Sequence, residues 1–203
     1  MKHSTSRVTI MLIVISIATV SCTVVGTLNP IYTNPKDFII KKELVGKWID
    51  PKDVNDFLII DTFVKDHPKS YRLSMVSKTN DELTDTTHFI GHLVNNGGSY
   101  FLECWYEVDF DKVDLLIPRH FIAKISFIGK DKIEFAFPDA ELLIKLINEK
   151  KLALNYAEKV EGDGDKSVSF LITNKSSALR YALTEMKKYP ELFRDKITLV
   201  HSE

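Results

Sequence analysis

Residues 86–110, TTHFIGHLVNNGGSYFLECWYEVDF, decide the fold. Two apolar segments flank the sequence Asn-Asn-Gly-Gly at 95–98, and asparagine and glycine tolerate the positive φ angles that a tight hairpin turn requires. The flanking segments are rich in aromatic and β-branched residues, which favour strands. We therefore predict an antiparallel hairpin with strands over 86–94 and 99–110.

The strand pattern continues on both sides of this hairpin. Before it, aromatic and β-branched residues over 57–65 and alternating apolar residues over 71–75 predict two strands. After it, alternation over 121–127 and 133–137 predicts two more, which a tight turn at Gly129-Lys-Asp joins. Because successive strands joined by short loops pair with their neighbours, we expect an antiparallel meander.

The apolar residues take helical spacing after Pro138. This spacing predicts an amphipathic helix that ends at Lys151, and a second amphipathic helix with Ser176 as its N-cap. Strands over 152–160 and 167–173 lie between these helices. A short strand over 197–200 ends the pattern.

A long run of antiparallel strands must pack on another layer or close on itself to protect its edges. Two helices cannot easily cover both faces of seven or more strands. We therefore predict a mainly β (α+β) fold, in which the meander forms a closed or strongly curved barrel with both helices in the C-terminal half.

The N-terminal region has a different character. An apolar run over 8–20 follows Lys2 and Arg7 and ends at Ser21 and Cys22. The run is shorter than the roughly twenty residues that a membrane-spanning helix needs. A basic start, an apolar centre and a small residue before the cut are typical of an export signal. The segment resembles a bacterial lipoprotein signal with its lipobox at 19–22, where threonine replaces the usual first leucine.

The resemblance implies cleavage before Cys22 and acylation of this cysteine by fatty chains such as palmitate. Residues 1–21 would be the signal peptide, 22–42 a lipidated tether, and 43–203 a single β-rich domain. The implied location is the bacterial cell envelope, with the protein lipid-anchored to a membrane and facing the periplasm or the cell exterior. An ordinary cleaved signal or a short membrane anchor is the alternative.

The predicted domain opens with the sequence LVGKW at 44–48. This element resembles the Leu-x-Gly-x-Trp sequence with which bacterial lipocalin-like lipoproteins often begin their barrel. In that family the tryptophan plugs one end of the barrel and small apolar molecules bind inside, so the resemblance implies such a ligand. Small protease-inhibitor barrels begin similarly, and the helix over 138–151 departs from the lipocalin strand order. From the residues alone, Trp48 is a core anchor.

The composition excludes several classes of protein. The 27 lysines and arginines against 28 aspartates and glutamates give a formal net charge of −1, without the basic excess of a nucleic-acid-binding protein. If Cys22 carries lipid, Cys104 cannot form an internal disulfide, and we expect it to be a buried apolar residue rather than a nucleophile. The sequence contains no Walker loop, dinucleotide fingerprint or Gly-x-Ser-x-Gly element, and we expect no cofactor.

Histidines provide the candidates for a metal or catalytic site. His88 and His92 share a face of one predicted strand, Glu103 lies on the strand paired with it, and His120 opens a later strand. Two or three histidines with a carboxylate are a zinc ligand set. Strand pairing alone also brings such residues together, and solvent-exposed histidines at strand edges are the simpler interpretation. The sequence Asp163-Gly-Asp fails the EF-hand pattern.

We expect a non-catalytic cell-envelope lipoprotein that binds a small apolar ligand or a protein partner. One alternative is an inhibitor or accessory subunit that acts through loops such as 78–85. Another is an enzyme of unknown chemistry that uses His88, His92, His120 and Glu103. An apolar cavity inside the sheet favours the first hypothesis, a filled core the second, and histidines and carboxylates in a cleft the third.

Overall fold

The structure is a computed structural model that describes residues 23–62, 67, 69–79, 82–107, 119–161 and 167–202. The described residues form twelve strands and two α-helices. The strands are β1 Thr23–Thr27, β2 Phe38–Ile39, β3 Gly46–Asp50, β4 Asp53–Asp61, β5 Tyr71–Thr79, β6 Glu82–Asn96, β7 Ser99–Tyr106, β8 His120–Ile128, β9 Lys132–Ala136, β10 Tyr156–Glu161, β11 Ser167–Ile172 and β12 Lys196–Ser202. The helices are α1 Ala140–Asn148 and α2 Ser176–Met186, and short 3-10 helices span Lys42–Leu44 and Pro190–Phe193.

Eight of these strands close into an antiparallel barrel. Strands β3 to β9 pair in chain order, and β12 pairs with both β9 and β3 to complete the ring. If the paired residues are followed from strand to strand once around the barrel, the path returns to β3 about twelve residues from its starting point. An offset of this size means that the strands are strongly tilted relative to the barrel axis. The prediction of a closed antiparallel barrel with two helices in the C-terminal half is confirmed.

Local turn chemistry explains the hairpins that build the barrel. In the β6–β7 turn, Gly97 and Gly98 have φ angles of +55° and +84°, and Asn95 Oδ1 accepts a hydrogen bond from the Gly98 N–H at 2.9 Å. In the β8–β9 turn, Gly129 has a φ angle of +69°. These positive φ angles are strained for residues with a Cβ atom. Both predicted turns are confirmed.

The helices pack on the outer face of the barrel. Buried side chains of α1 and α2 join Phe101 of β7 and Val94 of β6 in one apolar cluster. Helix α1 begins at Ala140, after its N-cap Asp139, whose side chain accepts a hydrogen bond from the Leu142 N–H. Helix α2 has Lys175 at the N-cap and no capping side chain, so the prediction of Ser176 as N-cap is wrong. Within the described residues, no helix combines the length and hydropathy needed to cross a bilayer.

The chain before β3 is part of the packed structure. Strand β1 pairs in parallel with β11 and touches β8 at a single pair, Thr27 with His120, while β2 pairs with β6. Ile31 and Phe38 are buried in the same cluster as the helices. The packed unit therefore begins no later than Thr23, some twenty residues before the predicted boundary at 43. The predicted signal peptide, 1–21, and Cys22 lie outside the described residues, as does the 163–165 loop.

Candidate ligand site at the open end of the barrel

The middle of the barrel interior is closed to solvent. We call the end with the β6–β7 and β8–β9 turns the lower end, and the end with the β3–β4 turn the upper end. Six inward-facing side chains below the upper layer are at most 2% exposed, namely those of Trp48, Ile60, Tyr71, Leu93, Leu102 and Ile133, whereas Tyr100 and Phe127 at the lower rim are half-buried. A side chain that is at most 2% exposed lines no water-sized space, so the middle of the barrel is filled by its own residues. Trp48 is confirmed as a core anchor, and its Nε1 donates to the Leu44 carbonyl at 2.9 Å.

The inward-facing side chains of the upper layer are only partly covered. They form a shallow apolar surface, which we call the cup, made of Leu58, Met75, Tyr106, Phe121, Phe137 and Ile197. Tyr106 is 45% exposed, and its ring contacts those of Phe89 and Phe121 with centroid separations of 4.6 and 5.8 Å. The other five are half-buried. The barrel therefore has a filled middle and an upper end at which the described residues leave apolar surface partly exposed.

One carboxyl group lies among these apolar residues. Asp56 faces inward on β4, as Leu58 does, and lies two residues closer to the upper end of the barrel. It is 4% exposed. Ser77 Oγ donates a hydrogen bond to Asp56 Oδ1 at 2.6 Å. Burial raises the pKa of Asp56, the negative charge of Asp53 raises it further, and the Ser77 hydrogen bond opposes both. The sequence analysis did not identify Asp56, although its alternation with Leu58 and Ile60 indicates that all three face the same side of a strand.

Cys104 also faces the barrel interior, and its environment excludes nucleophilic chemistry. Burial raises the pKa of the thiol to about 12, with a smaller contribution from the negative charge of Glu103. A thiolate is the reactive form of cysteine, so this side chain remains protonated and inert near neutral pH. Cys104 is therefore a packing residue, as expected from its apolar sequence context.

The candidate metal or catalytic residues lie on the outer face of the barrel. His92 is opposite Glu103 in the register of β6 and β7, and His120 Nδ1 lies 3.3 Å from Glu103 Oε1. The Trp105 ring contacts the rings of His67, His92 and His120, with centroid separations of 5.7, 5.1 and 5.3 Å. We call these five residues the outer cluster. Sequence reasoning missed His67 and Trp105.

The chain after β1, together with Phe38 of β2, covers the outer cluster. Glu103 is 1% exposed, and its two carboxyl oxygens accept hydrogen bonds from the backbone N–H groups of Ile31 at 2.7 Å and Tyr32 at 3.3 Å. The Phe38 ring stacks on His92 with a centroid separation of 3.7 Å. The outer cluster therefore holds the N-terminal segment against the barrel and does not line a cleft.

His88 is separate from the outer cluster. Its Nδ1 lies 2.9 Å from Ser74 Oγ, on the neighbouring strand β5. Of the four candidates, the fold thus brings together His92, Glu103 and His120 but not His88. Among the residues that the structure describes, no group of three or more histidine, cysteine, aspartate or glutamate side chains is arranged to hold a metal ion.

The outer cluster predicts a loss of stability in acid. Burial lowers the pKa of His92 to about 4, and the positive charges of His67 and His120 lower it further. Because unfolded histidine titrates near pH 6.5, the unfolded chain binds this proton first, and stability is lost as the pH falls from about 6.5 to 4. We expect His92→Phe, which keeps a ring against Phe38, to reduce this loss by about 1–2 kcal/mol after allowing for partial exposure.

Urea unfolding at several pH values measures this effect. His88→Phe is the matched control, because His88 lies on the same strand but outside the outer cluster, and the loss of stability that comes from His92 should persist in it. Equal pH dependence in His92→Phe and the parent protein would contradict the expectation.

The cup and the outer cluster are thus two different kinds of site. The cup presents uncovered apolar surface with one buried carboxyl group, and the outer cluster is occupied by the protein's own N-terminal segment. Comparison of the chain with protein-family models, with curated proteins and with solved structures finds no match.

Proposed function

We propose that this protein is a non-catalytic, lipid-anchored protein of the bacterial cell envelope that binds a small apolar ligand in the cup. The observation that carries the proposal is the difference between the two parts of the barrel interior. Side chains fill the middle of the barrel, whereas the inward-facing apolar side chains of the upper layer are half-buried or, at Tyr106, 45% exposed. Ligand sites are concave and mostly apolar with few polar groups, and an eight-stranded barrel has room for one small ligand.

Two features support a binding role over a catalytic one. The Cys104 thiol is held in its protonated form, and the buried Glu103 carboxyl group is engaged by backbone N–H groups. The proposal keeps the lipocalin-like resemblance, which rests on the LVGKW element at 44–48 and is compatible with the antiparallel barrel.

The membrane attachment rests on the lipobox and Cys22. Because Thr23–Thr27 already pairs with β11, acyl chains on Cys22 would hold the barrel domain close to the membrane surface, without a long tether. The attached domain would face the aqueous compartment outside the cytoplasm, where an apolar ligand needs a carrier or a receptor.

Expression of the full chain in a bacterial host tests both parts of the proposal. We expect the parent protein in the membrane fraction with diacylglycerol on Cys22, and Cys22→Ser to remain as a full-length precursor without lipid. Cys104→Ser is the matched control, because its side chain faces the barrel interior, and it should be processed as the parent is. Unchanged processing and membrane partitioning of Cys22→Ser would overturn the anchor.

Native mass spectrometry of the protein released from membranes tests the ligand. A small apolar molecule of defined mass bound to the parent is the expected result. A chain that carries no such molecule, and that binds no added apolar probe saturably, would overturn the binding function.

A protein partner is the second candidate function. Ile59 is exposed on the outer face of β4 opposite Lys47, and the half-buried Ile49 lies on β3 opposite Phe57, on a side of the barrel that the helices leave open. A contiguous exposed apolar patch, unlike a single exposed apolar residue, often marks a protein contact. The same mass spectra would then contain a protein of defined mass instead of a small molecule.

The 78–85 segment, proposed above as an inhibitory loop, is mostly strand, because β5 ends at Thr79 and β6 begins at Glu82. Residues 80–81 and the side chains of the segment lie outside the described part of the chain.

A further inference from the structure

We propose that the ligand of the cup is an amphiphile with a positively charged amine head group, and that Asp56 binds this head group. The inference rests on the proposed function, because it names the chemistry of the molecule that the cup would take. It follows from the position of Asp56, from its partners and from the charges around the upper end.

Asp56 is a buried carboxyl group without a cationic partner among the described residues. It is 4% exposed, and its partner is the neutral hydroxyl of Ser77. Acidic side chains are rarely buried unless they are paired, because removing the carboxylate from water is unfavourable. A cation in the cup would compensate this unfavourable burial, and a charge-assisted hydrogen bond to a carboxylate is among the stronger polar contacts.

The position of Asp56 suits a head group. The inward positions of β4 run from Asp56 at the upper end through Leu58 to Ile60 in the filled interior. An apolar body that packs on Leu58 and on the floor below it therefore leaves its head group beside Asp56. The aromatic rings of Tyr106 and Phe121 line the same layer, and aromatic faces also attract organic cations.

The charges at the upper end favour the same choice. Asp50 and Asp53 lie opposite each other where β3 meets β4, and Asp53 is near enough to raise the pKa of Asp56. The cation of this turn, Lys52, is exposed to solvent. The local potential at this edge of the cup is therefore negative, which attracts an amine and repels a fatty acid. The positive charge of Arg119 acts on Tyr106 at another edge of the cup, so this preference is local to Asp56.

Three probes with one apolar body and different head groups test the inference. They are 4-phenylbutylamine, 4-phenylbutan-1-ol and 4-phenylbutanoate, titrated into the full chain and followed by calorimetry. We expect the amine to bind about tenfold or more tightly than the alcohol, and the acid to bind most weakly. Asp56→Asn should reduce the affinity for the amine to that for the alcohol, and should leave the affinity for the alcohol within about threefold.

Asp131→Asn is the matched control, because Asp131 is exposed in the β8–β9 turn at the opposite end of the barrel. It should leave all three affinities unchanged. Asp56→Ser serves as a second variant should Asp56→Asn fail to fold, and the order of the three probes on the parent protein tests the inference without any variant.

The outcomes separate this inference from the function on which it rests. Equal binding of the three probes would overturn the amine assignment and leave the apolar-ligand function standing. A preference for the amine that persists in both Asp56 variants would overturn the role of Asp56. Failure of every probe to bind saturably to the parent would overturn the cup as a ligand site.

Discussion

Replacing Trp48 with alanine is expected to lower the free energy of unfolding by about 3–5 kcal/mol, the largest effect of any single change considered. The side chain is 1% exposed and lies among the buried residues of the barrel interior. The substitution leaves a cavity that surrounding strands can fill only in part. It also removes the donor to the Leu44 carbonyl, which belongs to a residue with no exposed surface. Urea unfolding followed by circular dichroism measures the change.

Two further variants show whether the loss comes from this contact. Trp48→Phe keeps an aromatic ring but not the donor, so we expect a smaller loss than for alanine. Tyr181→Ala removes an aromatic ring that is 63% exposed on α2, and it should change stability by less than about 0.5 kcal/mol. A loss below about 1 kcal/mol in Trp48→Ala would show that Trp48 does not anchor the barrel core.

Replacing Glu103 with alanine is expected to cost about 2–4 kcal/mol and to release the N-terminal segment from the barrel. The change leaves the backbone N–H groups of Ile31 and Tyr32 without their acceptor, in a buried position at Ile31. An unsatisfied buried donor costs more than the hydrogen bond itself contributes, since water cannot replace the lost partner. Hydrogen exchange at these two amides should accelerate more than exchange in the barrel strands.

Glu107→Ala is the matched control for Glu103. Glu107 lies on the same outer side of the barrel, but its partner is the exposed Arg72 at 2.7 Å. Exposed ion pairs contribute at most about 1 kcal/mol, so we expect a small loss and normal protection of Ile31 and Tyr32. Equal effects of the two substitutions on these amides would contradict the role of Glu103 in holding the segment.

The elements whose signals are local could be predicted from the sequence. The Asn-Asn-Gly-Gly turn at 95–98, the Gly129 turn and both helices occur where their residues indicated. Alternating apolar residues predicted which face of β5 and β8 is buried. The predicted start of α2 was one residue too late. Serine is a common N-cap residue, so Ser176 was predicted as the N-cap, but the helix begins at Ser176 and Lys175 is the N-cap.

Contacts between distant parts of the chain could not be predicted. Glu103 and Ile31 are 72 positions apart, and nothing in either neighbourhood indicates that one accepts a hydrogen bond from the other. His67 reaches Trp105 because Tyr71 pairs with Gly91, which places the chain before β5 beside His92. The segment expected to be a tether is part of the packed structure because it contacts residues far along the chain, such as Glu103.

The sequence by itself determined the strands β4 to β9, their order in the meander and the turns at 95–98 and 129–131, because alternation and turn chemistry depend on neighbours along the chain; it did not indicate β1 and β2. The tertiary structure decided which inward-facing residues fill the barrel and which remain uncovered in the cup. It also placed one carboxyl group, that of Asp56, among apolar side chains. The physical reason is that burial depends on the tilt and closure of eight strands together, which no single segment of the sequence specifies.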